Sequence, residues 1–285
     1  MKKNLNLQIC TFSHFHIDIM NILDEIVAFK RKEVAERKTL LPIKKLEKSA
    51  SFNRQVISIK EALLSTGSSG IIAEFKRKSP SKGMINEFVD VEQVTKGYVN
   101  AGASALSILT DEKYFGGSNE NLIKARKVNS CPILRKEFIV DEYQIIEAKS
   151  IGADAILLIV ACLSKEVISR FSKLAKSLGL EILLEIHNDD ELEKIIPEIE
   201  LVGINNRNLK NFKIDMEQSI KLASLIPDNY IKVAESGIDS PTIIQNLKSN
   251  GFKGFLIGEY FMRSPQPEKA CEEFIKELRG PLLPK

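Results

Sequence analysis

From Ile71 onward the chain repeats one rhythm: a short apolar run, a polar or glycine-bearing loop, then a segment with helical spacing. The apolar runs lie at 71–76, 105–109, 132–136, 155–159, 181–185, 201–205, 231–235 and 254–258. Each has the length of a strand and is too short for a buried helix. Helices are predicted at 91–101, 119–128, 141–150, 165–177, 189–196, 216–225, 242–248 and 268–277. Gly102, Gly152 and Gly179 follow three of them, where a left-handed residue commonly ends a helix. Eight such units of about 20–35 residues predict an α/β chain closed as a (β/α)8 TIM barrel. A doubly wound open sheet competes, but those sheets usually have about five to seven strands.

Ahead of the repeat, Ile19, Ile22, Leu23, Ile26 and Val27 recur at helical spacing, with Asp24, Glu25, Lys30 and Arg31 opposite. The pattern fades through the charged stretch 33–38, a solvated face, before Pro42 interrupts it. A short helix is predicted at 59–64, ending in the turn cluster 66–70. Residues 1–19 show no period and are too polar for a signal-peptide core, so we expect a poorly ordered extension, with Met20 as a second start site. Residues 20–285 are expected to form one barrel domain, with its leading helices at about 20–66 and no room for a fusion partner.

Composition removes several classes. An apolar fraction of 44% excludes global disorder, and a formal charge of +3 argues against nucleic acid or an anionic membrane as the main partner. No apolar run reaches the roughly 18 residues of a membrane span. The cysteines, Cys10, Cys131, Cys162 and Cys271, are far apart and form no CxxC, which fits a reducing cytoplasm without disulfides. Three histidines and no tryptophan leave little for a zinc site or a Ser-His-Asp triad.

In a (β/α)8 barrel the reactive residues sit at the C-terminal ends of the strands. Glu74 and Lys76 are two apart on the first run, so both face the barrel interior, where unpaired charges are costly. One such pair reads as a structural ion pair. Lys136 and Glu185, at matching positions on the third and fifth runs, turn the set into acid/base equipment at one mouth. Gly237 and Gly258 follow the seventh and eighth runs, where close backbone approach favours a phosphate. Arg77, Lys78 and Lys82 add positive charge near the mouth, either as a solvated loop or as attraction for an anionic substrate. His187 reads as a loop residue, and His14 and His16 lack a third ligand for a metal.

These segments carry a resemblance. EFKRKSPSKG at 74–83 resembles the E-x-K-x-x-S-P-S-x-G segment of the indole-3-glycerol phosphate synthases. The match continues through LTDEKYFGGS (109–118), LRKEFI (134–139), LEI (184–186), GINNRNL (203–209), AESGI (234–238) and LIG (256–258), collinear from about Met20 to the C-terminus. The resemblance implies closure of the indole ring of 1-(2-carboxyphenylamino)-1-deoxyribulose 5-phosphate in tryptophan biosynthesis, releasing CO2 and water without metal or organic cofactor. It makes Lys136 the general acid and leaves the dehydration to Lys76, Glu74 and Glu185 without dividing it among them. It makes Asn205 and Arg207 substrate and network residues, and places Ser79, with Lys76, beside the substrate's anionic groups. Phe115 and Phe138 become walls for the anthranilate ring, and Ser236, Gly237, Gly258 and the backbone of Glu259 a phosphate cradle. Two positions depart from the common pattern. Glu137 stands where many members have Asp, and Glu259 stands where some members have Ser and others Glu, so its carboxylate is expected to point away from the phosphate. Members are often monomeric or fused to a neighbouring pathway enzyme. Competing readings are another phosphate-binding barrel, such as phosphoribosylanthranilate isomerase or a tryptophan synthase α-type lyase, and a non-catalytic sugar-phosphate binding barrel. The isomerase's acid/base work is usually ascribed to Cys and Asp, and a mere binder would not need four converging charges.

Overall fold

The eight apolar runs become β1 (Ile71–Phe75), β2 (Ala105–Leu109), β3 (Ile133–Lys136), β4 (Ala155–Ile159), β5 (Glu181–Ile186), β6 (Leu201–Asn205), β7 (Ile231–Glu235) and β8 (Phe252–Ile257). In the computed structural model, which describes residues 22–208 and 213–280, they form a closed parallel barrel in sequential order, with β8 pairing back onto β1. Alternation divides each strand between two cores. Ile72, Ala105, Leu134, Leu157, Leu183, Leu201, Val233 and Leu256 fill the barrel interior, while the outward residues pack beneath the helical ring.

The leading helices are α1 (Ile22–Leu40), α2 (Ile43–Leu46) and α3 (Ile59–Leu64). The ring itself contains α4 (Val91–Ala101), α5 (Asn119–Val128), α6 (Glu142–Ser150), α7 (Lys165–Ser177), α8 (Met216–Ser224), α9 (Pro241–Ser249), the short α10 (Glu259–Met262) and α11 (Pro267–Arg279). Gly102, Gly152 and Gly179 all take positive φ after their helices, as their positions predicted. The floor is sealed by α3, whose Ile59 and Leu63 join the interior cluster. Glu181, at the start of β5, holds the first turn of α3 by accepting from the N–H groups of Ile59 (2.7 Å) and Lys60 (3.1 Å).

Three sequence expectations need correction. The helix expected at 189–196 is a 3-10 segment, Asp189–Lys194; Pro197 lies too close for an α-helical ladder to extend. The stretch 33–38 is not a fading solvated face. The helix runs on to Leu40 with Val34 buried and Arg37 bonded to Glu147. Lys30 does not lie on the polar face: Leu23, Ile26, Lys30 and Val34 form the buried stripe of α1. The expected extension 1–19 and Leu209 lie outside the described residues.

Candidate active site

At the C-terminal mouth a cavity of about 250 Å3 opens between the strand ends and α1. The last inward position of β3 carries Lys136, and those of β5 and β7 carry Glu185 and Glu235. All three converge. Lys136 Nζ donates to Glu185 Oε2 at 2.9 Å and also to Glu235 Oε2. Across the mouth Lys76 Nζ lies 2.8 Å from Glu74 Oε1, and Ser107 Oγ donates to Glu74 Oε2 at 3.3 Å. The four charges read from the sequence therefore share one cavity as two ion pairs, joined by a fifth charge. Sequence reading missed Glu235, although it ends its strand just as Glu185 nearly ends β5.

The two carboxylates beside Lys136 are unequal. Burial opposes ionisation of Glu185, but Lys136, His187 and Asn205 outweigh it and hold the group well below the usual carboxylate range. Asn205 Nδ2 donates to Glu185 Oε1 at 2.9 Å, and His187 Nε2 lies 3.1 Å from the same oxygen. His187 is thus part of the site's charge network, not a plain loop residue. Burial works against its imidazolium, yet Glu185 and Glu191 lift it to about 10. For Glu235 burial prevails, aided by the neighbouring charges of Glu185 and Glu74, and its carboxyl is pushed up to about 7 despite Lys136. Lys136 itself is held as the ammonium, since Glu185, Glu235 and Glu74 together overcome its desolvation.

The raised Glu235 carboxyl has a signed consequence. Its contribution to stability is fully present below the ordinary carboxylate range and is lost as pH rises through about 7. Thermal unfolding followed from pH 5 to 8 should show a decline that Glu235→Gln, which mimics the neutral acid, removes. A decline that persists in the variant would assign it elsewhere.

Loops 7 and 8 carry the residues expected to form a phosphate cradle. Ser236 has φ 71°, the only positive value for a non-glycine among the described residues, and Gly237 follows at 72°. Asn206 holds this conformation by donating its Nδ2 to the Ser236 carbonyl at 2.7 Å. Two left-handed residues in succession at a cavity wall are a feature that backbone economy alone would avoid. Gly258 follows β8, and a Cβ there would come within 2.5 Å of Glu74 Oε1, so its bareness also leaves room for that carboxylate. The Glu259 carboxylate is taken up by Arg207 at 3.1 Å and by Arg263, which ties loop 6 to loop 8. At Gly237 an added Cβ would meet Ile214 Cγ2 at 2.7 Å, at a φ that L side chains avoid. Gly237→Ala is expected to raise KM for a phosphorylated substrate about 10-fold, the loss of one hydrogen bond to an anion, with kcat much less affected.

The remaining wall is apolar. Phe115 and Phe138 stand with ring centroids 5.8 Å apart, near Leu23 and Ile26 of α1 along the cavity. Ser79 is buried at its edge, its Oγ 3.4 Å from that of Ser81. Arg77 and Lys78 turn elsewhere: Arg77 donates to the Val89 carbonyl and packs over Phe75, and Lys78 donates to the Lys113 carbonyl. Behind the wall, Lys30 is buried against Asp111 (2.8 Å) and Glu137 (3.1 Å), so α1 is ionically bound to loops 2 and 3. Glu137 is also fixed by Thr110 Oγ1 at 2.7 Å, which gives the departure from Asp a definite partner set.

A closed (β/α)8 barrel with its ionisable groups gathered at the strand C-termini has the arrangement of a catalytic barrel. Comparison with known proteins narrows this. The model of the family described as indole-3-glycerol phosphate synthase matches residues 23–274, and the chain belongs to that family. Among its relatives, the indole-3-glycerol phosphate synthase of Bacteroides thetaiotaomicron is 48% identical over 91% of this chain and 99% of its own. That of Caldanaerobacter subterraneus subsp. tengcongensis is 42% identical over 91% and 99%. Solved structures share the fold at much lower identity. A thiamine phosphate pyrophosphorylase from Pyrococcus furiosus gives a TM-score of 0.55 at 14% identity, over 78% of this chain and 100% of that one. A tryptophan synthase alpha-subunit from the same organism gives 0.55 at 14%, over 75% and 98%.

Proposed function

We propose that this mouth closes an indole ring, with Lys136 protonating the carbonyl of 1-(2-carboxyphenylamino)-1-deoxyribulose 5-phosphate as the aromatic carbon attacks. The chain is a decarboxylating carbon–carbon lyase of tryptophan biosynthesis, as its family is. The observation that carries the residue assignment is the Lys136 ammonium held between Glu185 and Glu235, in the cavity walled by Phe115 and Phe138. The aromatic ring lies against the two phenylalanines, and the phosphate takes the backbone N–H groups around Ser236, Gly237, Gly258 and Glu259. Holding the ring carbon against the carbonyl converts an intramolecular encounter into a fixed near-attack geometry.

Loss of CO2 then restores the aromatic ring. In the dehydration, Lys76, paired with Glu74, gives the proton to the departing hydroxyl, and Glu185, kept ionised, takes the proton from the ring system. Glu235, poised near neutrality, returns to Lys136 the proton spent in ring closure. Arg207 and Asn205 orient the substrate, Asn205 also holds Glu185, and Ser79 faces the substrate's anionic groups. The three described cysteines are unpaired, which fits action in a reducing cytoplasm, and the enzyme works as a monomer able to associate with neighbouring pathway enzymes. No helix among the described residues is long and apolar enough to cross a membrane.

Supplying the carboxyphenylamino-deoxyribulose phosphate and watching for indole fluorescence tests the assignment directly. The chain contains no tryptophan, so the product appears over a nearly dark background. No rise in that signal at any enzyme concentration would sink the proposal.

A further inference from the structure

Gly203 sits inside β6, where alternation points it into the barrel between Leu201 and Asn205. It pairs in register with Glu185 of β5 and Val233 of β7. Its φ is not positive, so its backbone would suit any residue, and a glycine inside a strand weakens the strand. Conformational freedom does not explain it. Space does. A Cβ built on Gly203 would overlap Oε1 of Glu235 and lie 3.2 Å from Leu183 Cδ1. The Glu235 side chain therefore reaches over β6 and occupies the volume that a side chain at 203 would fill. From there its other oxygen, Oε2, meets Lys136 Nζ.

We infer that Gly203 is a positioning residue: it leaves the hole in the inner layer that seats the Glu235 carboxylate against Lys136. The inference rests on the role proposed for Glu235 in reloading Lys136. Its physics differs from that at Gly258, where an added Cβ would also meet Glu74 Cβ at 2.9 Å, a stiff part of the side chain close to its backbone. At Gly203 the nearest obstacle is the far end of a flexible side chain. An alanine there leaves strand pairing in place and swings the carboxylate away from the lysine, so the lesion falls on turnover and not on folding. Glu185 and its own partners, Asn205 and His187, are untouched.

The test compares steady-state ring closure by the full chain as wild type, G203A, E235Q, E235D, G203A/E235Q and G203A/E235D, with thermal unfolding of each. G203A is expected to lower kcat about 100-fold, the scale of a misplaced catalytic group, with KM little changed. Added to E235Q, the same substitution should cost almost nothing further, because its target is already lost. E235D withdraws the carboxylate by one methylene, so G203A/E235D should turn over faster than G203A alone. A G203A that keeps wild-type kcat overturns the inference, as does one that loses the same factor with and without Glu235. Wild-type turnover by E235Q would instead remove the role of Glu235 itself, and the inference with it. Should G203A fail to fold, recovery of folding in G203A/E235D supports the overlap, and failure of both refutes it.

Discussion

Lys136→Ala is expected to lower kcat by about 10²–10⁴-fold while substrate binding stays nearly unchanged, because a general acid acts chiefly in the transition state. The contacts proposed to bind substrate, the paired phenylalanines and the cradle after β7 and β8, do not involve the lysine. A second effect accompanies the first. Glu185 and Glu235 lose the cation between them, and Glu185 keeps only the donor Asn205 and the neighbouring His187 imidazole. The pair then holds its proton to higher pH than in the wild type, measurable as a shift in a comparison of the two titration curves. Near-normal turnover in the variant would transfer the ring-closure acid to Lys76.

Lys30→Met has the largest expected effect on stability, about 3–5 kcal/mol, the scale for removing one partner from a buried ion cluster. The methionine fills the volume but leaves wholly buried Asp111 without its cation and Glu137 with only Arg135, 4.0 Å away. A denaturant midpoint well below that of the wild type is the expected result. Lys38→Met supplies the contrast on the same helix. Its pair with Asp141 is roughly two-fifths exposed on each side, and its removal should cost about 1 kcal/mol or less. Equal shifts for the two variants would contradict the buried-cluster account. Since Leu23 and Ile26 reach the cavity from α1, Lys30→Met should also raise KM.

Much of this was legible beforehand because it followed from periodicity. Two-residue alternation pointed Glu74, Lys76, Lys136 and Glu185 inward, and all four line the cavity. Glu235 obeys the same rule, but the adjacent Ser236-Gly237 pair gives its segment the stronger signal of a phosphate turn. Lys30 was legible too: it follows Ile26 by four residues and precedes Val34 by four, on the apolar stripe, but its charge assigned it to solvent. A buried lysine needs partners from loops 81 and 107 residues further along, and no local pattern announces Asp111 and Glu137 as those partners. His187 depended likewise on geometry, since a 3-10 turn brings Glu191 back under it. The space-filling reason for Gly203 could not be read from β6 alone, because the atom that needs the space belongs to β7.

Closure of the barrel also has a history in time. Ile71 pairs with Phe255, 184 residues later in the chain, so β1 gains its second neighbour only with the last strand. At a synthesis rate of about 5–20 residues per second, the β1 edge waits on the order of 10–40 s on the ribosome with one row of backbone donors and acceptors unpaired. Glu74 and Gly258 lie on the two sides of that seam. The nascent chain thus carries most of its catalytic charges long before it can use them, and a nascent chain stalled before β8 would present a sticky edge in place of an active mouth.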